Sequence, residues 1–515
     1  MAVPAAIAAP ARRDRGVVAM VVVVTALAFL SGVTGDFVSW DDDTNFTNNQ
    51  HFRGLGWAQI QWAFTTLHFG VYQPLGWLAL ELQFVVGGLS PAVYHLVSWL
   101  LHALNAALVY RLLMALLARA SGDASDASDI RRTSWLAAAG ALLWALHPLR
   151  AEAVAWASCQ SYLLATMFAL LATLAYLRVA DGGRSRPWQW RLATFGLYTA
   201  AVLSKADAIP LPLVWLVLDV YPLGRLGGSA GWSRNARVRR VWAEKLPFLA
   251  VAVGAASAAV GARAHEHYLA SLEMTGVGPR LAHAAAAVWL YVGKTLAPWT
   301  LSPFYPRPPD LARGLAAPLY AVAAGAAIAV TLLLVRFARR VPALCAAWIA
   351  YLVFLLPHAG LVRIGNQLGA DRYTYLSSIG FAAAIAGGLG WLARGATQAR
   401  RRALVGTVAA AALVLAVLAA RQTDVWDDSE SLWSFTYERS GAASGHVANN
   451  WGAVLIGQRR YVDAVEVLSR AVQLSPRNSK AFHNLAIALS ATGADAAAAT
   501  ALAEAERLRE QAAAR

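Results

Sequence analysis

The chain has 515 residues, of which 58% are apolar and only 14% charged, whereas soluble domains carry about a quarter charged residues. That balance excludes an ordinary soluble domain and fits one large membrane domain with something smaller attached. The formal charge of +15 does not point to nucleic acid, because the basic residues fall in short clusters between apolar runs, the pattern of membrane-protein loops. The two cysteines, Cys159 and Cys345, are far apart and lack zinc-type spacing.

A helix needs about 20 apolar residues to cross a hydrocarbon core. In chain order the candidate spans, several of them short, are 16–32, 91–117, 134–147, 161–177, 191–204, 207–221, 246–263, 314–335, 341–357, 376–393 and 403–420. Stretches 72–88 and 281–298 are also apolar. Arginines decide which runs cross, because cytoplasmic loops carry the positive excess. Arg12, Arg13 and Arg15 precede the first run, which no A-x-A cleavage pattern follows. The clusters Arg119/Arg131/Arg132, Arg178/Arg184/Arg186, Arg225 through Arg240, Arg336/Arg339/Arg340 and Arg394/Arg400/Arg401/Arg402 all share that side if eleven runs alternate. Were 72–88 and 281–298 both to cross, the arginine-rich loops 178–191 and 222–245 would lie outside. Both are therefore expected as helices at the outer face. The expected fold is an all-α membrane bundle of about eleven transmembrane helices. Residues 1–15 form a cytoplasmic N-terminus, and 16–420 the membrane domain with a first external loop near 33–90. The C-terminus lies outside.

Composition changes at Arg421 to a mixed-charge, soluble pattern, so 421–515 is expected as a separate extracytoplasmic domain. Residues 445–478 carry Gly452, Tyr461, Ala464, Leu468, Ala471 and Pro476, and 479–512 follow in register with Phe482, Leu485, Ala486, Leu489, Gly493, Ala498 and Ala505. The 34-residue offset is that of tetratricopeptide helix pairs, in which small residues permit close approach. A short α-solenoid follows, with Trp426–Glu438 as a further helix packed on the first repeat. Such repeats serve as docking platforms for protein partners.

The densest chemistry follows the first span, at Asp36-Phe-Val-Ser-Trp40-Asp41-Asp42-Asp43. Exposed loop carboxylates beside an interfacial tryptophan suit a general base, because crowded like charges push carboxylate pKa values apart. An acidic turn or an Asp-capped helix start explains such a run equally well. The cluster also suits a divalent cation, though nothing in the sequence requires one. Alternation places His68, Gln73, His95, His147, Arg150, Glu152, Lys205, Asp207, Arg363, Asn366, Gln367, Asp371 and Arg372 on the same face. Ionisable groups at membrane depth are costly and point to function. Together they fit an anionic lipid-linked substrate, with cations for its phosphate and a carboxylate for an acceptor proton. His102 is expected to be a packing residue. Glu81 is as well explained by a solvated face as by a site.

Trp40-Asp41-Asp42, Tyr72-Gln-Pro-Leu75, Tyr94-His95-Leu and Leu101-His102-Ala-Leu-Asn105 resemble motifs of the GT-C superfamily of membrane glycosyltransferases. So do His147-Pro-Leu-Arg-Ala-Glu152-Ala-Val-Ala-Trp156, Leu203-Ser-Lys205 and Ala370-Asp-Arg372-Tyr-Thr-Tyr375-Leu-Ser-Ser378. The chain is most similar to the branch with C-terminal tetratricopeptide repeats, whose animal members are protein O-mannosyltransferases of the endoplasmic reticulum. The resemblance implies sugar transfer, with mannose one candidate, from a polyprenyl-phosphate carrier to an acceptor hydroxyl on the extracytoplasmic face. It places the essential aspartate at Asp41 or Asp42 and the phosphate-holding cations at Lys205 and Arg372. His147, Arg150, Glu152, Asp371, His68 and His95 are the further substrate-binding candidates. A bacterial inner-membrane setting is expected, with membrane lipids, a lipid-linked donor and a protein or glycan acceptor as partners, and no nucleic acid.

Two positions depart from the family pattern. The segment Ala157-Ser-Cys-Gln-Ser161 lacks the charged run many bacterial relatives have, and Ala206 stands where an acid commonly follows the lysine. Both bear on donor head group or acceptor. Three other readings remain open: a transporter, which would show internal symmetry absent here; a non-catalytic scaffold presenting repeats; and transfer to a lipid or polysaccharide.

Overall fold

The computed structural model describes residues 12–121, 127–182, 187–228, 231–232, 235–266, 276–361 and 367–513. Arg184, Arg186, Arg363 and Asn366 lie outside them. The helices run α1 (Arg12–Ala28), α2 (Trp57–Thr65), α3 (Pro74–Gly87), α4 (Pro91–Ser121), α5 (Ala127–Ala145), α6 (Ala151–Ala155), α7 (Gln160–Ala180), α8 (Pro187–Ser204) and α9 (Leu211–Val220). They continue as α10 (Ala236–Ala243), α11 (Leu246–His265), α12 (Val277–Leu296), α13 (Pro318–Arg336), α14 (Pro342–Leu355), α15 (Thr374–Ser377), α16 (Ile379–Leu392) and α17 (Gln398–Asp424). The C-terminal part is α18 (Ser429–Ser440), α19 (Gly445–Gly457), α20 (Tyr461–Leu474), α21 (Ser479–Ala491) and α22 (Asp495–Ala513). Among the described residues the only β pairings are two isolated bridges, so the chain is all-α.

Local sequence explains where these helices begin. Pro74, Pro91, Pro318 and Pro342 open α3, α4, α13 and α14, where the missing N–H costs no hydrogen bond. Thr397, Asp428, Ser444 and Asn478 cap α17, α18, α19 and α21 by accepting backbone N–H groups.

A helix occupies each of the eleven expected span positions, and α3 and α12 occupy the two apolar stretches assigned to the outer face. Among the described residues, five helices are long and apolar enough to cross a membrane unaided: Pro91–Ser121, Ala157–Ala180, Ala236–His265, Pro318–Arg336 and Gln398–Asp424. A sixth is counted if the segment Asp371–Ser377 and Ile379–Leu392, bent by 54°, is one span. The expected spans at 16–32, 134–147, 191–204 and 341–357 are not among them, and the 207–221 stretch is shorter still, because α9 begins only at Leu211, after Pro210. Its length of about 15 Å is half a hydrocarbon core.

The bundle is organised around α4, which packs against α1, α5 and α7, while α7 packs along α8. Small residues set these crossings. A Cβ on Gly140 of α5 would lie 2.7 Å from the Ala382 carbonyl of α16, the close approach that small residues permit between membrane helices. His102 is a packing residue, with Nδ1 2.7 Å from the Tyr375 hydroxyl and Nε2 3.1 Å from the Ala145 carbonyl. Glu81 is not on a solvated face. It is fully buried with neither carboxylate oxygen hydrogen-bonded, because α3 packs against α4, α7 and α8.

Beyond α17, α18 packs on α19, and α19–α20 and α21–α22 form two helical hairpins. Ala464, Leu468 and Ala471 are buried between them. At Gly452 an added Cβ would lie 2.4 Å from Leu468 Cγ. Gly452→Ala is therefore expected to destabilise the hairpins by about 1–3 kcal/mol, the usual cost of overpacking. Thermal unfolding of the whole chain measures this, and an unshifted midpoint would show that Leu468 moves aside freely. These hairpins share their core with the membrane domain. One continuous cluster contains Val38, Trp156, Phe304, Trp426 and Trp433 together with Val447, Leu455, Leu468 and Leu485.

Candidate active site

After α1 a turn over Leu30–Val33 leads into the loop that carries the acidic run. The loop is tied to the segment entering α18. Asp36 N donates to the Asp427 carbonyl at 2.7 Å, Ser39 N to Ser429 Oγ at 2.8 Å, and Trp433 Nε1 to the Ser39 carbonyl at 3.3 Å. The Trp40 ring packs 5.0 Å from Trp433, 5.5 Å from Trp156 and 5.9 Å from Trp426. Aromatic pairs at these separations each add about 0.5–1.5 kcal/mol beyond area burial. The loop is therefore held, and its carboxylates have defined directions.

Those directions separate the three aspartates. Asp42, expected to be exposed, is fully buried. Its Oδ2 accepts from Val38 N at 3.0 Å, and its Oδ1 from Ser158 N at 3.1 Å and from the Ser158 hydroxyl. Burial pushes its pKa up to about 7 against the pull of these donors. Both oxygens are engaged, so Asp42 works as an anchor between the loop and the junction preceding α7. Asp43 is exposed and accepts from Thr44 N at 2.9 Å, at the start of a helical turn over Asp43–Thr47. Asp41 is half-buried, and its carboxylate has no hydrogen-bond partner among the described residues. Burial raises its pKa to about 6, with Arg372 and Lys205 pulling it down and Asp43 pushing it up.

The two cations that Asp41 senses are both mounted on aromatic faces. Lys205, just past α8, donates from Nζ to Gln73 Oε1 at 2.8 Å and sits 4.8 Å above the Tyr162 ring. Burial lowers its pKa to about 8. Arg372 lies 5.2 Å from the Trp156 ring centroid and 4.9 Å from that of Tyr373. Glu152 grips it twice, accepting from Arg372 N at 2.7 Å and pairing with the guanidinium. One residue after Ala206, Asp207 pairs with His358 Nε2 at 2.9 Å.

The remaining expected site residues form the scaffold beneath. Arg150 is buried and donates to the Thr374 carbonyl at 3.0 Å and to Thr374 Oγ1 at 2.9 Å. Asp371 accepts from the Tyr305 hydroxyl at 2.7 Å. His147 bridges Leu149 N, which donates to its Nδ1 at 3.2 Å, and the Thr295 carbonyl, 3.1 Å from its Nε2. His95 lies 3.3 Å from the Asp36 carbonyl and steadies the loop. His68 packs edge-on to Trp77 at 5.4 Å and Trp62 at 6.0 Å. Asp41, Lys205 and Arg372 thus share one electrostatic neighbourhood, with Glu152 behind Arg372. Ser158 was not singled out beforehand, although it lies in the segment noted for its lack of charge. Trp426, Trp433 and Tyr162 were likewise missed as parts of the site. Among the described residues no group of three or more His, Cys, Asp or Glu side chains is arranged to hold a metal ion.

No family model matches the chain, and no solved structure matches it. Curated relatives do. The chain is 32% identical over 207 residues to protein O-mannosyl-transferase TMTC2 of Mus musculus, a match covering 38% of this chain and 23% of that protein. It is 30% identical over 207 residues to the Homo sapiens protein of the same name, with the same shares. To protein O-mannosyl-transferase Tmtc2 of Drosophila melanogaster it is 34% identical over 176 residues, 33% of this chain and 17% of that one. The matches therefore span less than a quarter of these relatives' own length. Within that span, the chain is similar to proteins named protein O-mannosyl-transferases.

Proposed function

We propose that the chain is a membrane glycosyltransferase that moves a sugar, with mannose the first candidate, from a polyprenyl-phosphate carrier to a Ser or Thr hydroxyl of a protein. The reaction takes place on the extracytoplasmic face, with the N-terminus in the cytoplasm and the helical hairpins outside, as in a bacterial inner membrane. One observation carries this reading: Asp41 is a free carboxylate whose pKa is lifted to about 6, in the field of Arg372 and Lys205. The names of the relatives support transfer to protein. The cation pair supports a phosphate-bearing donor.

In this mechanism the acceptor oxygen attacks the anomeric carbon while its proton passes to Asp41. The bond from that carbon to the phosphate oxygen breaks, and its electron pair leaves with the polyprenyl phosphate. Inversion at the anomeric carbon follows from the single displacement, and Lys205 and Arg372 offset the charge on the departing phosphate. Asp42 positions Asp41 through the loop.

The test is transfer by the purified chain, in vesicles, from polyprenyl-phosphate mannose to a Thr-containing polypeptide. Lys205→Met should raise the KM for that donor about 10- to 100-fold, the loss of a hydrogen bond to a charged group, and leave the acceptor KM unchanged. A normal donor KM in a well-folded Lys205→Met protein would remove this residue from the phosphate site. Absence of sugar transfer from any polyprenyl-phosphate donor would leave the scaffold reading in its place.

A further inference from the structure

A groove of about 1120 Å³ separates the acidic loop from the C-terminal hairpins. Its loop wall includes Asp41 and Trp40, and its hairpin wall includes His446, Asn449, Asn450 and Asn484. Asp42, Lys205 and Arg372 do not line it. Asp41 therefore faces the groove, as do Asp36 and Asp43, while the two cations proposed for the donor phosphate do not line it. The hydroxyl-bearing substrate has this route to Asp41.

The hairpin wall is a row of side-chain amides spanning two helices. Asn484 Nδ2 on α21 donates to Asn449 Oδ1 on α19 at 3.0 Å, and Asn449 Nδ2 donates to Asn450 Oδ1 at 3.3 Å. Asn450 Nδ2 lies 3.2 Å from His446 Nε2. Each amide carries two donors and an oxygen with two lone pairs, so this chain leaves both kinds of group unspent along the wall. An extended polypeptide presents alternating N–H and C=O groups that lose water on binding. Amides answer both without reading the side chains. A lipid acceptor would instead require a predominantly apolar lining.

We infer that this groove is the acceptor site, and that its occupant is an extended polypeptide segment held by its backbone on Asn449, Asn450 and Asn484, with a Ser or Thr hydroxyl turned toward Asp41. This rests on the reading of Asp41 as the base. The ties from Ser39 and Trp40 to Ser429 and Trp433 fix the hairpin wall relative to that carboxylate. The amides then hold the backbone whatever its sequence, the acidic lining of Asp36, Asp43, Asp428 and Glu430 favours segments without acidic side chains, and selection falls on the residue that places a hydroxyl at Asp41.

The experiment uses the full chain and a fluorescent Thr-containing peptide, with binding read by anisotropy and transfer assayed separately. Asn449→Ala combined with Asn484→Ala should weaken peptide binding and raise the peptide KM about tenfold, the loss of one or two hydrogen bonds. The donor KM and the rate at saturating peptide should hold. The same peptide with Val for Thr should bind as tightly as the original. A photoreactive residue at Ala453, an exposed position lining the groove, should crosslink the peptide, which keeps the test sound if the double variant folds poorly. Peptide binding at the groove without sugar transfer would sustain this inference and sink the glycosyltransferase reading. Transfer with a normal peptide KM in the folded double variant, and no crosslink from position 453, would do the reverse. Displacement of the bound peptide by an oligosaccharide acceptor at lower concentration would overturn the assignment in favour of a glycan.

Discussion

Asp41→Asn is expected to lower sugar transfer about 100- to 10,000-fold, the usual worth of a general base, with no loss of thermal stability. The carboxylate accepts no hydrogen bond among the described residues, so the amide removes charge and little else. The pH dependence follows with its sign. Burial lifts the Asp41 pKa from 3.8 to about 6, so the base is ionised above that value and protonated below it. The rate should be flat near neutrality and fall about tenfold per unit below pH 6. A base with an ordinary carboxylate pKa would hold its rate two units lower. In Asp41→Asn the residual rate should lose this slope. Asp42→Asn is the informative contrast, because it strikes the anchor: two donors on Ser158 and one on Val38 would face a group that accepts less well. A folded Asp41→Asn protein with wild-type turnover would remove the base from this loop.

Glu152→Ala is expected to destabilise the chain by about 3–5 kcal/mol, the range for stripping one partner from a buried ion pair. Glu152 is almost wholly buried and Arg372 nearly so, with side-chain exposures of 1% and 11%. Removing the carboxylate strands the guanidinium between Trp156 and Tyr373. It also frees the Arg372 backbone N–H, leaving a second orphan in the same place. Arg372→Met added to Glu152→Ala should recover much of the lost stability, since apolar replacement of both partners is often close to neutral. Transfer would stay low in the double variant, with the donor phosphate short of one cation. Scanning thermal unfolding in detergent separates these effects, and an unchanged midpoint for Glu152→Ala would mean that the pair contributes nothing to the fold.

Helix positions were legible in the sequence because they are local. Apolar runs, opening prolines and Ser, Thr, Asp or Asn caps lie within a few residues of the helices they define, and each expected span has its helix. Crossing was less legible, since proline placement shortened α9 in a way hydropathy alone does not register. The acidic run stood out from residue type and expected side of the membrane, whereas Lys205 and Arg372 were picked out through the family resemblance. The division of labour between Asp41 and Asp42 was not, because adjacent identical residues differ only in distant partners. Ser158 lies 116 residues from Asp42, and Arg372 lies 220 from Glu152. Glu81 was left open for the same reason, since its burial depends on how α3 meets other helices.

The ties between the acidic loop and the start of α18 carry a consequence for biosynthesis. Ser39 and Ser429 stand 390 residues apart, and ribosomes add about 5–20 residues per second. The loop therefore emerges about 20–80 s before the segment that fixes it has been made. Throughout that interval Trp40 has no Trp426 or Trp433 to pack on, and Asp41 is not yet aimed. A chain cut short between α17 and α18 retains Asp41, Glu152, Lys205 and Arg372 yet lacks the hairpin wall over them. Completion of synthesis thus becomes a condition for assembling the site, and half-made molecules stay silent in the membrane.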